Sequence, residues 1–491
     1  MSTNILSLVS EAVIARQTAE AQAIIRGLLG VIAQQQQRID ELERRVAELE
    51  AEVGQLRGGR TAQNSSLPPS QEHPHHKSTP TRPKSNKKQG GQPGHRLHER
   101  ALLPVEVCQN VIPCKPTHCR RCKHRLTGSD PKPLRHQVAE LPEIKLDVIE
   151  YQRHRLTCSH CGTSTCGELL TGVPASTAGP RLTSFIALLM GCFRQSKSRV
   201  TLFLKYLADF DCSPGWIVKL QNQTTQALQP AYQELVQALP SQPRLGADES
   251  PTKQGKQSAW HWVFVADRFT VLAIRLTRGA MVLRELLTER FSGVLSCDRA
   301  KSYWQQGVLQ WCWAHLKRHF QSWIDSVQGQ VKRLGHDLMR CTRQLFALWQ
   351  RVRDGTLTWL GFKRLMHPLR HQVEGLLLRG IFSGNTRLQR SCDELYQHRD
   401  WLWTFLQHQG VEPTNNASER ALRHAVIWRK LSFGTQSATG SRFVESILTI
   451  LATCQQQGRN VLQFLHDTLT AFHHHQSTPS LLNSSPLILP A

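Results

Sequence analysis

Apolar positions recur every seven residues between 25 and 57. Ile25, Ile32, Ile39, Val46 and Val53 form one series, and Leu28, Leu42, Leu49 and Leu56 alternate with it, Gln35 being the polar exception. β-Branched residues in the first series with leucine in the second favour a parallel two-stranded coiled coil. The flanking charges agree: Arg38 with Glu43, Arg45 with Glu50, and Glu52 with Arg57 are complementary across such a dimer. Residues 1–57 therefore read as a coiled-coil dimerisation segment, giving a homodimer or higher oligomer through 25–57. An amphipathic helix packed on its own domain is the competing reading.

Beyond this segment the pattern changes repeatedly. Residues 58–100 hold six prolines, eight Lys or Arg and two acids, which reads as a basic Pro-rich linker with too little apolar surface to fold alone. Residues 101–170 contain a strand-like run, "KLDVIEYQRHRLTC". Residues 171–242 are helical in pattern, with apolar stripes in "RLTSFIALLMGCF" and "RVTLFLKYLADF" and a helix entered through Ser213-Pro214. Core packing explains these stripes as well as a DNA-binding helical element does. From 243 the runs "RLGADES", "WHWVFVAD" and "FTVLAIRL" are β-rich; a helix-like "AMVLRELLTERF" follows, then "GVLSCD" and "LQWCWAH". Three strands, a helix and two further strands are the order of an RNase H-like α/β core, whose first part would span 243–320. Leu334, Leu338, Leu345 and Leu348 predict a helical insertion over 321–412. The core's last helices follow over 413–470, after Pro413 and the cap-like Thr414, Asn415 and Asn416. Residues 471–491 read as a C-terminal tail.

Charge sharpens this outline. Lys and Arg outnumber Asp and Glu by 61 to 37, a net charge of +24 over 491 residues. The first 57 residues carry eight acids and six bases, so the other 434 hold +26. That excess calls for a polyanionic partner, and nucleic acid fits it better than an anionic membrane. No run approaches the roughly 18 apolar residues of a membrane span. "MSTNILSLVSEAV" lacks the basic region of a signal peptide. Fourteen cysteines without an export signal point to reduced thiols and metal ligands in a cytoplasmic protein.

Two constellations carry candidate chemistry. Cys119-x-x-Cys122 and Cys158-x-x-Cys161 are knuckles 35 residues apart, and together they supply the four thiolates of a tetrahedral structural Zn²⁺. Cys108, Cys114 and Cys166 are spare thiols nearby. The second constellation is acidic. Asp248 sits in a strand, Asp298 closes the run Val294–Cys297, and Glu419 lies near the start of a late helix. Three such carboxylates, converging, suit a pair of Mg²⁺ or Mn²⁺ ions that assist an in-line displacement at phosphorus. Arg423 shares the helical face of Glu419, where it meets either a scissile phosphate or the carboxylate itself. Cys312-x-x-His315 reads as structural, because two ligands do not complete a tetrahedral site. His473, His474 and His475 read as part of a solvated tail.

The order of these blocks resembles a transposase of the insertion-sequence-66 family, of the class that uses a DDE triad. The stretches that carry the resemblance are "NSSLPPS", "GGQPGH", the two cysteine knuckles with "QVAELP", "GPRL", "GADES", "CDRAKSY", "CWAHLKRHF", "NNASERALR" and "GSRFVESILTILATC". The resemblance implies that Asp248, Asp298 and Glu419 are the catalytic metal-binding triad and that Cys119, Cys122, Cys158 and Cys161 bind zinc. It further implies DNA cleavage and strand transfer at terminal inverted repeats, target DNA as a second partner, and accessory proteins encoded by the element. Glu249 follows Asp248 where the family more usually continues to threonine after the glutamate, and here Ser250 stands instead. The rival reading is a zinc-binding, zippered DNA-binding protein, an inactive or repurposed transposase without strand-transfer activity.

Overall fold

The structure, a computed structural model, describes residues 14–58, 101–289 and 291–482; the linker over 59–100 and the end of the tail lie outside them. Helix α1 spans Ala19–Gly58, 40 residues, or about 60 Å of helix. Leu28, Ile39 and Leu42 of the heptad series are about half exposed (58, 47 and 57%), so the seam is not packed on this chain's own core.

Residues 101–170 form loops around one small antiparallel hairpin, β1 (Arg155–Thr157) with β2 (Ser164–Cys166). The strand expected over 145–158 is thus reduced to its last few residues. Val148 and Ile149 point to solvent, and a run with no sheet to join or core to cover has nothing to hold it extended.

Three helices precede the main sheet: α2 (Pro180–Gly191), α3 (Lys197–Ala208) and α4 (Pro214–Ala238). Ser196 and Ser213 cap α3 and α4 by accepting the amides of Arg199 and Trp216, and Pro214 occupies the first helical position. The sheet follows with β3 (Arg244–Gln254), β4 (Gln257–Val265) and β5 (Thr270–Arg275). Helix α5 (Met281–Leu287) then leads to β6 (Val294–Cys297) and β7 (Val308–Trp311). The spatial order is β5-β4-β3-β6-β7. β3, β4 and β5 form an antiparallel meander, while β6 runs parallel to β3 and β7 parallel to β6.

Helix α6 (Trp313–Ile324) leaves β7, and α7 (Gly329–Arg353), α8 (Trp359–Ile381), α9 (Thr386–Gln397) and the one-turn α10 (Thr404–Gln407) intervene before the chain returns. It returns as α11 (Asn416–Ser432), α12 (Ala438–Gln456) and α13 (Val461–His473). α11 packs on β3 and β4, and α12 on β5 and α4.

Both sheet edges are covered by specific hydrogen bonds. Along β5 the amides of Ile274, Leu272 and Thr270 donate to Glu445, Thr449 and Thr453 of α12. Four helical residues rise about 6 Å and two strand residues about 6.6 Å, so one helix face keeps step with every second amide. Along β7, Thr404 donates to the Leu309 carbonyl and Gln310 accepts the Phe405 amide at 2.7 Å. An uncovered edge would leave these groups open to pairing with another chain.

The expected tail is partly folded. Ser480 and the Leu481 amide donate to Glu234 on α4, and Leu481 is buried. His473 ends α13 and meets Gln223 at 3.0 Å, so it belongs to the fold and not to a solvated tail.

Candidate active site

Three elements meet where the acidic residues lie. Asp248 is the fifth residue of β3, Asp298 follows the last residue of β6, and Glu419 is in the first turn of α11. β3 and β6 are adjacent and parallel, with Gly246 opposite Ser296, so both aspartates lie toward the same end of the strand pair. Burial pushes the Asp248 carboxyl well above its usual range, and the charges of Glu249, Asp298 and Glu419 add to the effect. Asp298 and Glu419 therefore both lie within electrostatic reach of Asp248. Burial also raises Asp298, opposed by the Ala300 amide, which donates at 2.8 Å, and by Arg278, Arg299 and Arg318.

What brings α11 to β3 is Asn415, 2% exposed, the residue before the helix. Its side-chain amide donates to the Ala247 carbonyl at 2.6 Å, and its carbonyl accepts the Ser418 hydroxyl at 2.7 Å. The backbone amide of Asn415 donates to the Cys312 sulfur at 3.1 Å. Asn415 thus does not cap α11 with its side chain, as its position suggested; it ties the helix to the strand beside Asp248. Gly246 leaves room for this approach. A Cβ at Gly246 would lie 2.4 Å from the Ser418 hydroxyl oxygen and 2.9 Å from Asn415 Oδ1.

The partners of Glu419 come from α6. Arg318 reaches one carboxylate oxygen at 3.3 Å, and His315 Nδ1 stands 3.5 Å from the same oxygen. Burial lowers His315 to about 3, with the charges of Arg318 and Arg299 contributing, so the ring is neutral near pH 7. Its Nδ1 is buried without a hydrogen-bond partner. Cys312, His315 and Glu419 offer ligand atoms all within 4.8 Å of one another, the group of this kind among the described residues. The pair Cys312–His315 therefore acquires a third donor from a segment about a hundred residues away. Sequence reasoning missed Arg318, although it follows His315 by three positions on one helix. Arg423 and Arg420 are exposed, and Glu419 pairs with Arg318 in preference to either.

Glu249 points the other way from Asp248 along the strand. Its side chain is 1% exposed, pairs with Arg278 at 2.6 Å and accepts the Tyr303 hydroxyl. Glu445 lies elsewhere, on the β5 edge with Arg275 and Arg442 at 2.8 and 2.7 Å.

The two cysteine knuckles adopt the same turn. The Cys119 amide donates to His124 and the Lys123 amide to Cys119; the Cys158 amide donates to Thr163 and the Gly162 amide to Cys158. In each case the residue after the second cysteine has positive φ, +60° at Lys123 and +73° at Gly162. The Cys119 thiol is drawn below its usual value by the amides of Cys122 and Arg121 and by the Cys122 thiol. Cys161 is drawn down by the Thr163 side chain, the Thr163 amide and the Cys158 thiol.

The core is mixed α/β, with Asp248 on β3, Asp298 just after β6 and Glu419 on the late helix α11. Residues 175–442 match the family described as Transposase IS66 family, more than half of the chain, and the protein belongs to that family. Residues 11–101 match a second family, described as a family of unknown function (DUF6444). Among curated proteins, the uncharacterized protein y4qI of Sinorhizobium fredii (strain NBRC 101917 / NGR234) is 28% identical over 264 residues, 46% of this chain and 47% of the relative. The uncharacterized protein y4jO of the same strain is 27% identical over 167 residues, 32% of this chain and 47% of the relative. The chain thus spans about half the length of the curated relatives it matches. No helix among the described residues is long and apolar enough to cross a membrane.

Proposed function

We propose that this protein is a DDE transposase that cleaves DNA at the inverted-repeat ends of an insertion sequence and transfers the freed strands to target DNA. Asp248, Asp298 and Glu419 are its triad. The observation that carries the reading is the mutual electrostatic strain at Asp248, whose carboxyl is raised by burial and by three neighbouring acids. Such a set of hard oxygen donors with uncompensated charge fits Mg²⁺ or Mn²⁺. The strand order β5-β4-β3-β6-β7 supports an RNase H-like core.

Bound divalent cations would supply Lewis acidity to the scissile phosphodiester and the attacking oxygen. The chain's own groups set the geometry. Asn415 fixes the start of α11 against β3, Arg318 pairs with the Glu419 carboxylate, the neutral His315 stands beside it, and Arg278 and Tyr303 hold Glu249. In the first step water forms a bond to phosphorus and the bond from phosphorus to the 3′-oxygen breaks, leaving a 5′-phosphate and a 3′-hydroxyl. That hydroxyl then attacks a target phosphodiester and displaces the target's own 3′-oxygen. Neither step needs a covalent enzyme intermediate or a nucleotide.

The knuckle turns support one structural Zn²⁺ held by Cys119, Cys122, Cys158 and Cys161, and the exposed heptad seam supports pairing of two copies through 25–57. The partners are the transposon ends, target DNA and element-encoded accessory proteins, in the cytoplasm of a bacterium. Glu419→Gln keeps the size of the side chain and removes one anionic donor. It should bind end DNA like the parent, measured without divalent metal, while failing to cut or join. Parental strand transfer by the variant would remove Glu419 from the triad. A parent that binds ends but never cuts them, with Mg²⁺ or Mn²⁺ and the accessory proteins present, would favour the DNA-binding relic.

A further inference from the structure

We propose that α11 and the β3–β4 hairpin form the track on which a DNA duplex lies as it leaves the carboxylates, with Phe433 wedged into its base stack. The inference rests on the DNA-cleaving reading of the site and adds the path of the substrate.

The two elements run out from the site together. At one end Asn415 bonds to Ala247; further along, Arg429 donates to the Ser250 hydroxyl at 3.2 Å and to the Pro251 carbonyl. Past the helix, the Thr435 amide donates to the Lys253 carbonyl at 2.9 Å and the Gly255 amide to Thr435 at 2.7 Å. The stretch is therefore a continuous, doubly anchored platform. From Glu419 to its far end is about 20 Å at 1.5 Å per helical residue.

Its outer surface is basic and unneutralised. Arg420, Arg423 and Lys430 on α11 and Lys253 and Lys256 on the hairpin are all exposed, and none pairs with an acid among the described residues. Arg275, Arg278, Arg318 and Arg370, by contrast, are all paired. At about 100° per residue, Arg420, Arg423 and Lys430 fall on one side of α11. No acid occurs in the chain between Glu419 and Glu445, nor between Glu249 and Asp267. Five free cations with no acid among them suit a phosphate backbone and repel few parts of it.

At the far end the surface becomes apolar. Leu431 is 62% exposed and Phe433 82%. Phe433 also holds φ +58°, a conformation that bulky residues rarely adopt. The backbone around it is fixed. Its amide donates to Arg429 at 2.7 Å, and Ser432 bridges the carbonyls of Trp428 and Gly434 at 2.8 and 2.9 Å. Gly434, at φ +106°, lies so close to the hairpin that a Cβ would meet the Lys253 carbonyl at 2.4 Å. A strained, rigid mount that presents an uncovered aromatic ring amid lysines gains nothing in the free protein. Proteins that kink duplexes insert such side chains between base steps. At about 3.4 Å per base pair, 20 Å places the ring about six base pairs from the scissile phosphate.

The test uses the full-length protein and synthetic duplexes of the element's end, each with the fluorescent base 2-aminopurine at a different step, in metal-free buffer. The parent should unstack the probe, and so brighten it, about six base pairs from the cleavage point. Phe433→Ala should abolish the brightening and weaken binding roughly tenfold, and Phe433→Trp should restore both. The triple variant Arg420→Ala, Arg423→Ala, Lys430→Ala should lower the slope of log affinity against log salt by about 2.7, three phosphates' worth. All four positions are exposed, and matching melting curves would establish that the variants fold. Brightening unchanged in Phe433→Ala overturns the wedge, and an unchanged salt slope overturns the track. Either failure leaves the site reading intact, because loss of cutting in Glu419→Gln is read separately, from product strands.

Discussion

Asn415 is where a single amide decides whether the third carboxylate stands beside the first. Replacing it with alanine leaves the Ala247 carbonyl and the Ser418 hydroxyl without partners in a buried place, since Asn415 is 2% exposed and Ser418 fully buried. Each orphaned buried group costs about 1–3 kcal/mol, so Asn415→Ala should lose roughly 2–6 kcal/mol of stability. Asn415→Asp is the sharper perturbation. It is nearly isosteric, but it turns the donor that faces the Ala247 carbonyl into an acceptor and adds a buried charge near Asp248 and Glu419. The catalytic consequence is separable from the stability loss. A displacement of about 1 Å at a positioned group costs about 100-fold in rate, so alanine at 415 should cut strand cleavage by that order while leaving DNA affinity nearly unchanged. Urea unfolding gives the first number, and single-turnover cleavage at a temperature where both proteins are folded gives the second. An Asn415→Ala protein within about 0.5 kcal/mol of the parent that also cleaves at the parental rate would refute the argument.

His261 is buried, its Nε2 has no partner, and burial with the nearby Arg429 charge lowers it to about 3. A depressed histidine stabilises the fold above its unfolded value of about 6.5 and loses that contribution as pH falls toward 3, about 1 kcal/mol over the first unit. Unfolding free energies measured against pH should therefore fall less steeply below 6.5 in His261→Gln than in the parent; parallel profiles would contradict this. Gly246→Ala forces a Cβ onto Ser418 and Asn415 and should cost about 1–3 kcal/mol, part of it recovered in the double variant with Ser418→Ala, as denaturation curves would reveal. Elemental analysis of reduced protein should find one zinc per chain, diminished in Cys122→Ser and removed by strong chelator with unfolding of the module around it. Ile39→Pro should break α1 and yield monomers in sedimentation while the sheet's own melting transition persists.

Much of the outline was legible in the sequence because it depends on neighbours along the chain. Heptad spacing marked α1, Ser213-Pro214 marked the start of α4, and β-rich runs marked β3, β4 and β5. Periodicity and capping are local properties, and they survive whatever the rest of the chain does. The acids Asp248, Asp298 and Glu419 could be singled out because each stood at a definite place in a recognisable pattern: within a strand, at a strand's end and near a helix start. Where local pattern lacked a partner surface, it misled, as in the exposed run from 145 that forms no strand beyond β1.

What only the tertiary structure decided are the contacts between residues about a hundred or more positions apart. Asn415 looked like a helix cap and proves to be a brace to Ala247 across 168 residues. Cys312 and His315 looked like half a site until α11 brought Glu419 to them, and Arg318 had no visible function until it faced that carboxylate. Glu445, an acid inside a helix by pattern, closes the edge of β5. A side chain's type fixes which bonds it is able to make. Which bond it does make depends on what burial brings within about 3 Å, because a buried polar group must find a partner and takes the one the packing supplies.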